Sequence, residues 1–322
     1  MNPLLRSAMI PMNTLCFQRN FAACSRALVP VQLPSRSETH LWYVVPDEVK
    51  SASLLGQYSK ILSPCEKEYI SCVRGERLKK TALLARVLVR TTIARYQTNG
   101  QVDPSSLKFR KNIHGKPELE WDENDHGSPP PIHFNISHTA SLIACGVTVN
   151  SPIGIDLEEK DRKIKNNIVS FARRYFTAHE VEMLSSIPDP ETQRQHFIKL
   201  WTLKEAYVKA LGKGFSALPF STFTIRSRNS SRNCQSRDLS DSSSSDAEIV
   251  VESVDGSSSL MNSWQFTLLE LAGTHFAAIC VESDGSIGGR VFTPRKVTAR
   301  KTIPFVEDEF HPGTDAVVLG GL

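Results

Sequence analysis

The sequence lacks the cysteine patterns that hold small folds together. Its seven cysteines are odd in number, lie far apart along the chain and include no Cys-x-x-Cys pair. This distribution argues against a disulfide framework and against a cysteine-type zinc site. A reducing compartment fits such scattered thiols best, and the fold must rest on apolar packing.

Long apolar runs are also missing, because no stretch of about 18 consecutive apolar residues occurs, and we therefore expect no membrane partner. The chain of 322 residues is 40% hydrophobic and 22% charged, which is ordinary for a globular protein long enough for two domains or half-domains. Its 38 basic and 34 acidic side chains give a net charge of +4. Four of the basic side chains precede the first acid, Glu38, so the body is nearly neutral and we expect no nucleic-acid partner.

Residues 1–37 contain no acidic side chain but include Arg6, Arg19, Arg26 and Arg36. The arginines are interspersed with apolar residues, and no continuous apolar segment of the secretory kind is present. This composition predicts a transit peptide, most simply a mitochondrial one, with a plastid or cytosolic protein as the alternatives. A disordered tail or a misassigned start would have the same composition.

Helix and strand signals follow one another twice, once on each side of about residue 150. We expect an N-terminal half at 38–150 and a C-terminal half at 151–290. One helix is predicted from the capping box at Ser63, with proline next to it, to about Tyr96, and others start at Thr177 and at Asp189. Short strands are predicted near His40 and at 107–109, 133–137, 142–149, 153–158, 264–270 and 275–282.

A serine-rich segment interrupts the second half. Residues 227–263 hold fourteen serines among 37 residues, so we expect a flexible insertion in which only 249–251 resembles a strand. Residues 291–322 are expected to form a flexible tail.

Paired carboxylates occur in the segment Ile153-Gly154-Ile155-Asp156-Leu157-Glu158. Alternation along a strand puts the Asp156 and Glu158 side chains on one face. Two such carboxylates can share Mg²⁺, which binds through a few carboxylates, waters and substrate phosphate. Taken alone, the pattern favours an edge strand with a solvated polar face.

A third carboxylate, Glu205, lies four residues before Lys209 in a segment with an apolar helical stripe. A carboxylate beside an ammonium can serve phosphoryl chemistry, because the carboxylate binds metal or takes a proton while the ammonium offsets negative charge. The alternative is an ordinary surface ion pair.

Two further segments carry groups that bind phosphate. Ser137 and His138 end a predicted strand, where their hydroxyl and imidazole could donate to phosphate oxygens. They do not form a nucleophile–base pair, since adjacent strand residues point to opposite faces. Lys116 lies in a Gly-Lys-Pro turn, which could bring its ammonium to a phosphate or leave it solvated.

Four motifs follow one another along the chain, namely Gly-Lys-Pro, Asn-Ile-Ser-His, Gly-Ile-Asp-Leu-Glu and Trp-Thr-Leu-Lys-Glu-Ala-Tyr-Val-Lys. In this order they resemble the 4'-phosphopantetheinyl transferase superfamily. They look like those of the two-half members of the type that activates surfactin synthetase and their eukaryotic relatives. The resemblance implies an α+β fold of two similar halves related by a pseudo-twofold, with a ligand cleft between them. It also implies a monomeric holo-[acyl-carrier-protein] synthase that moves phosphopantetheine from coenzyme A to a serine of an acyl carrier protein.

The resemblance also implies roles for individual residues. Asp156, Glu158 and Glu205 resemble the Mg²⁺ ligands, with Glu158 replaced by water in some members. Glu205 also resembles the base for the carrier serine, and Lys209 resembles the group that steadies the pyrophosphate. The side chains that resemble coenzyme A ligands are Arg77, Arg86, Lys116, Ser137 and His138, the last of them at the 3'-phosphate. Two rival functions are another Mg²⁺-dependent phosphodiester-cleaving enzyme and a non-catalytic coenzyme A or carrier-protein binding module.

Overall fold

The computed structural model describes residues 27–96, 102–120, 132–165, 167–214, 216–229, 247–254, 264–283, 295–310 and 316–319. In this part of the chain the helices are α1 (Ala52–Lys60), α2 (Pro64–Cys72), α3 (Glu76–Arg95), α4 (Ile168–Tyr175), α5 (Ala178–Ser185) and α6 (Pro190–Leu211). The strands are β1 (Glu38–Val44), β2 (Lys108–Lys111), β3 (Pro117–Glu120), β4 (Ile132–His138), β5 (Ile143–Val149), β6 (Ile153–Glu159), β7 (Phe223–Asn229), β8 (Ala247–Ser253), β9 (Trp264–Leu271), β10 (His275–Glu282), β11 (Lys296–Ile303), β12 (Glu307–Phe310) and β13 (Ala316–Val318).

Two main sheets organise these strands. The first has five strands in the order β12-β11-β1-β5-β4, and only its β1–β11 pair is parallel. The second has four antiparallel strands in the order β13-β9-β10-β6. Strands β2 and β3 form one separate antiparallel pair, and β7 and β8 form another.

Alternation along the strands stacks the two sheets between two long helices. In β1, Leu41 packs into the core between the sheets, whereas its neighbour Trp42 packs into the core that includes α3. In β10, Ile279 lies between the sheets and Ala278 lies in the core that includes α6. The layers therefore run α3, first sheet, second sheet, α6, which confirms the predicted α+β class with two similar halves.

The capping signals located several helices correctly. Ser63 and Thr177 form the predicted capping boxes, and Asp189 caps α6, whose carboxyl end is followed by left-handed Gly212. The single helix predicted from Ser63 to Tyr96 is wrong, however. The chain leaves the helix after Cys72 and restarts after Gly75, whose φ of 92° is a conformation that favours glycine.

The ends of the globular body also differ from prediction. The flexible tail predicted at 291–322 is wrong at 296–310, because β11 pairs with β1 and β12 extends the same sheet. The sheet of the first half therefore includes two strands from the C-terminal part of the chain. The predicted start of the N-terminal half at residue 38 is wrong too, since Leu28, Val31 and Leu33 already pack against the first core. Residues 1–26, which carry most of the predicted transit peptide, lie outside the described residues.

Part of the serine-rich segment is folded. The strand predicted at 249–251 is confirmed within β8, with Ile249 and Val251 buried in the second core. Strand β7 extends through Asn229, so the flexible insertion predicted from residue 227 is wrong at its first residues. The remainder, at 230–246 and 255–263, lies outside the described residues. Over the described parts of the chain, no helix combines the length and the apolar character that crossing a membrane requires.

Candidate active site

Gly154 marks the place where α6 packs directly on β6 beside the site. A Cβ at this position would lie 2.0 Å from the Ala206 carbonyl oxygen and 2.2 Å from the Ala210 amide nitrogen. Only a residue without a side chain permits this approach. The close contact brings Glu205 and Lys209 of α6 to the face of β6 that carries Asp156.

Side chains of β4 fasten this strand to β6 across the edges of the two sheets. The Ile155 amide donates to Asn135 Oδ1 at 2.8 Å, and the Leu157 amide donates to Ser137 Oγ at 3.2 Å. Because Asn135 and Ser137 are two residues apart, they lie on the same face of β4. The Asn-Ile-Ser-His segment therefore connects the two halves by hydrogen bonds and also places polar groups at the site.

Asp156 lies at the centre of a buried polar cluster. Its Oδ1 accepts from Ser137 Oγ at 3.0 Å and from Lys209 Nζ at 2.5 Å, while Lys209 also donates to Ser137 at 3.1 Å. Its Oδ2 is buried and has no hydrogen-bond partner within the described structure. A buried carboxylate oxygen without a partner is costly, and a bound cation would satisfy it.

A cavity of about 430 Å³ opens beside this cluster, between the end of β4, strand β6 and helix α6. Its lining brings together six of the residues predicted from sequence, namely Ser137, His138, Asp156, Glu158, Glu205 and Lys209. The predicted cleft between the two halves is thus present, and the three predicted metal ligands share it.

The surroundings of the cavity raise the pKa of two of its acids, Glu158 and Glu205. Burial raises the pKa of Glu158 to about 7, the negative charge of Asp156 adds to the rise, and Arg162 and Lys209 oppose it. Burial also raises the pKa of Glu205, again with Asp156 adding to the shift. A divalent cation would reverse this balance, since it stabilises every charged carboxylate around it.

The three carboxylates are not assembled into a complete metal site. Among the described residues, no group of three carboxylate, imidazole or thiol side chains is close enough to hold a metal ion. Instead, Lys209 holds Asp156, and Arg162 Nη1 holds Glu158 Oε1 at 2.5 Å. Oxygen donors that line one cavity, one of them unpartnered, nevertheless fit a hard cation such as Mg²⁺.

His138 is exposed at the cavity rim, at the end of β4. Partial burial lowers the pKa of its imidazole, and the positive charges of Lys209 and Arg86 lower it further. Arg86 contributes this field although its own Nη1 donates to the Ala82 carbonyl at 2.8 Å and its guanidinium stacks on Tyr69. Two positive charges therefore lie near His138, and they suit this part of the rim to an anionic group.

Three predicted site residues, Lys116, Arg77 and Arg86, do not line the cavity. Lys116 Nζ donates to the carbonyl oxygens of Ile153 at 2.9 Å and Ala210 at 3.3 Å, which joins the β2–β3 pair to β6 and the end of α6. Burial lowers the pKa of Lys116 to about 8, and Glu118 and Cys280 oppose the shift. Arg77 lies exposed in the first turn of α3.

Sequence reasoning missed several side chains that line the cavity, among them Glu159, Arg162 and Trp201. Arg162 pairs with Glu158, and its guanidinium lies 5.5 Å from the centre of the Trp201 ring. Trp201 precedes Glu205 by four residues on α6, so helical spacing places both on one face. Arg162 follows the end of β6, where no periodic pattern indicates the direction of its side chain.

Fold and cavity together define a two-half α+β protein with an acidic, cation-flanked cavity suited to phosphate chemistry. Residues 152–269 match the profile described as the 4'-phosphopantetheinyl transferase superfamily. Residues 50–149 match the profile described as 4'-phosphopantetheinyl transferase, N-terminal.

Curated relatives agree with these profiles. The chain is 32% identical over 181 residues to the 4'-phosphopantetheinyl transferase HetI of Nostoc sp., a match that covers 56% of this chain and 71% of HetI. It is 32% identical over 170 residues to the 4'-phosphopantetheinyl transferase Sfp of Bacillus subtilis, covering 53% of this chain and 68% of Sfp. Another 4'-phosphopantetheinyl transferase of Bacillus subtilis is 35% identical over 144 residues, which span 45% of this chain and 57% of that relative.

The chain belongs to the 4'-phosphopantetheinyl transferase superfamily, as its motifs predicted.

Proposed function

We propose that this protein transfers 4'-phosphopantetheine from coenzyme A to a serine hydroxyl of an apo acyl carrier protein, in a reaction that depends on Mg²⁺. The observation that carries the proposal is the Asp156 carboxylate. One of its oxygens is held by Ser137 and Lys209, and the other is buried without a partner beside a cavity that Glu158 and Glu205 also line. The transferases HetI and Sfp support the reaction class.

The proposed reaction breaks the pyrophosphate bond of coenzyme A. The carrier serine oxygen bonds to the phosphorus that bears pantetheine, and adenosine 3',5'-bisphosphate leaves with the bridging oxygen. Mg²⁺ held by Asp156, Glu158 and Glu205 would offset the negative charge of the pyrophosphate. The serine proton needs a base, and we assign that role to Glu205, a carboxylate that lines the cavity beside Lys209. Lys209 keeps Asp156 in position and adds positive charge at the same place.

We assign His138 to the 3'-phosphate of coenzyme A, on the basis of the family resemblance and of its place at the rim near two positive charges. Replacing His138 with alanine should weaken binding of coenzyme A about tenfold or more, since a hydrogen bond to a charged group is lost. Binding of 3'-dephospho-coenzyme A should change little. Isothermal titration with both ligands measures this difference.

His179, exposed on α5, provides the matched control as His179→Ala. Equal weakening of both ligands by His138→Ala would contradict the assignment, because a general disturbance of the cavity does not discriminate between them.

The proposed partner is a carrier protein of the fatty-acid type. Lys67, Arg74 and Arg77 are exposed on α2, α3 and the turn between them, and could attract an acidic partner over about 8–10 Å at physiological ionic strength. Arg90 and Arg95 of α3 do not contribute to this surface, because they are buried in ion pairs with Glu66 and Asp308.

We propose a mitochondrial location, supported by the acid-free, arginine-containing sequence of residues 1–26. A fluorescent reporter that carries residues 1–26 should enter mitochondria. The same fusion with Arg6, Arg19 and Arg26 each changed to glutamine should remain in the cytosol, because the charge that responds to the membrane potential is gone. A diffuse reporter with the native segment would refute the proposed location.

A further inference from the structure

Arg162 is the one cavity-lining arginine among the described residues, and its surroundings hold it in place. It lies in the turn after β6, where its amide donates to the Glu159 carbonyl at 3.0 Å. Its own carbonyl accepts from Arg194 Nη1 at 3.2 Å, and Arg194 also donates to the Lys160 carbonyl. The backbone of the turn is thus fixed to α6, and the guanidinium is directed towards Glu158.

The guanidinium competes with any cation for Glu158. Its Nη1 lies 2.5 Å from Glu158 Oε1, and its other contact is the face of Trp201. While the guanidinium stays in place, Glu158 Oε1 is not available to a metal ion, and only Oε2 can bind one. Over a third of the Arg162 side chain remains exposed, at 36%, so the guanidinium has space to move into the cavity mouth.

The charged side chains that line the cavity also support competition between Arg162 and a metal ion for Glu158. Asp156, Glu158, Glu159 and Glu205 supply four carboxylates to the lining, and Lys209 and Arg162 supply two cations. While Arg162 stays paired with Glu158, its positive charge offsets part of the negative charge that an entering divalent ion would meet. Anionic oxygens from a polyphosphate ligand would restore the negative charge that Arg162 offsets.

We infer that Arg162 takes the place of a metal cation at Glu158, as a positioning residue that holds Oε1 of this carboxylate in the metal-free site and must release it before both oxygens of Glu158 are free for a divalent ion. The inference rests on the proposed function, because it takes Glu158 as a metal ligand. If Arg162 acts in this way, the protein alone binds a divalent metal ion weakly. Tight metal binding then depends on the arrival of coenzyme A.

Titration with Mn²⁺, monitored by the electron paramagnetic resonance signal of the free ion, tests this inference without any turnover. Arg162→Gln should bind Mn²⁺ about tenfold more tightly than the unmodified protein in the absence of coenzyme A, since a unit positive charge next to the ion has been removed. Arg162→Lys keeps the charge and should bind Mn²⁺ as the unmodified protein does. Arg174→Gln, an exposed arginine on α4, is the matched control and should have no effect.

Tryptophan fluorescence provides a second readout. Displacement of the guanidinium from the Trp201 ring should change the emission when Mn²⁺ and coenzyme A are added together. This change should be absent in Trp201→Phe, which keeps an aromatic ring at the position but removes the indole.

Equal Mn²⁺ affinity of Arg162→Gln and the unmodified protein would overturn the inference, and it would leave the proposed transfer reaction intact if carrier protein is still modified. Absence of Mn²⁺ binding by every variant, with and without coenzyme A, would overturn both the inference and the metal assignment. Tighter binding by Arg162→Gln and Arg162→Lys alike would also refute it, because the charge would then not be responsible.

Discussion

Changing Glu205 to glutamine is expected to lower the rate of carrier-protein modification by about 10³-fold or more while leaving the fold intact. The substitution preserves shape but removes both the negative charge and the proton acceptor, and general base catalysis alone contributes roughly 10²–10⁴-fold. Asp156→Asn should be as damaging, since it removes the carboxylate that Lys209 and Ser137 hold at the centre of the cavity. Single-turnover kinetics at saturating coenzyme A measure the loss.

The matched control is Glu182→Gln, because this glutamate is exposed on α5 and does not line the cavity. It should retain the full rate. Glu158→Gln should be the mildest of these three substitutions of cavity acids, since water can replace one ligand of Mg²⁺ and Arg162 already occupies this carboxylate. A Glu205→Gln protein that retains most of its activity would show that this carboxylate neither binds the metal nor accepts the proton.

Changing Lys204 to methionine is expected to cost about 3–5 kcal/mol of unfolding free energy. The Lys204 and Glu180 side chains are both 0% exposed and meet at 2.8 Å. The ammonium also donates to the carbonyl oxygens of Phe220 and Phe223. Burial lowers the pKa of Lys204 to about 8, and Glu180 opposes the shift. Removing Lys204 leaves a carboxylate in the core without its counter-ion.

Urea unfolding at neutral pH measures this effect, with Lys79→Met as the control. Lys79 forms an exposed pair with Glu76 at 3.5 Å, so its replacement should change stability by about 0.5 kcal/mol or less. The double variant Lys204→Met/Glu180→Gln should recover part of the loss, because no unpaired charge remains. If the double variant were less stable than Lys204→Met, the unpaired charge would not be the cause.

Local sequence rules predicted the elements whose signals are local. Alternation put Asp156 and Glu158 on one face of β6, and Ile155 and Leu157 indeed lie on the other face, between the sheets. Capping residues located the starts of α2, α5 and α6 because a side chain that accepts from the first-turn amides is needed there.

Long-range pairing could not be predicted in the same way. Strand β11 joins β1 across more than half of the chain, and nothing in residues 296–303 indicates which edge they extend. The turn at Gly75 also escaped notice, because the apolar and basic residues on both sides of it are compatible with one continuous helix.

The residues of the candidate site likewise include some that local sequence patterns predict and some that they do not. Its acids and Lys209 could be predicted, because each belongs to a short motif on a periodic element and the ordered motifs resemble one superfamily. The position of Lys116 could not, since its turn has no periodicity and its ammonium is directed to carbonyl oxygens of β6 and α6 that are distant in sequence. Arg162 escaped prediction for the same reason.

Intact-mass spectrometry of an apo acyl carrier protein tests the central claim most directly. The carrier is incubated with coenzyme A, Mg²⁺ and either the unmodified protein or Glu205→Gln, and a carrier whose acceptor serine is changed to alanine is treated in parallel. We expect the mass of one phosphopantetheine group to appear only on the serine-containing carrier and only with the unmodified protein, together with an equal amount of adenosine 3',5'-bisphosphate. An unchanged carrier mass after incubation with the folded, unmodified protein would contradict the account.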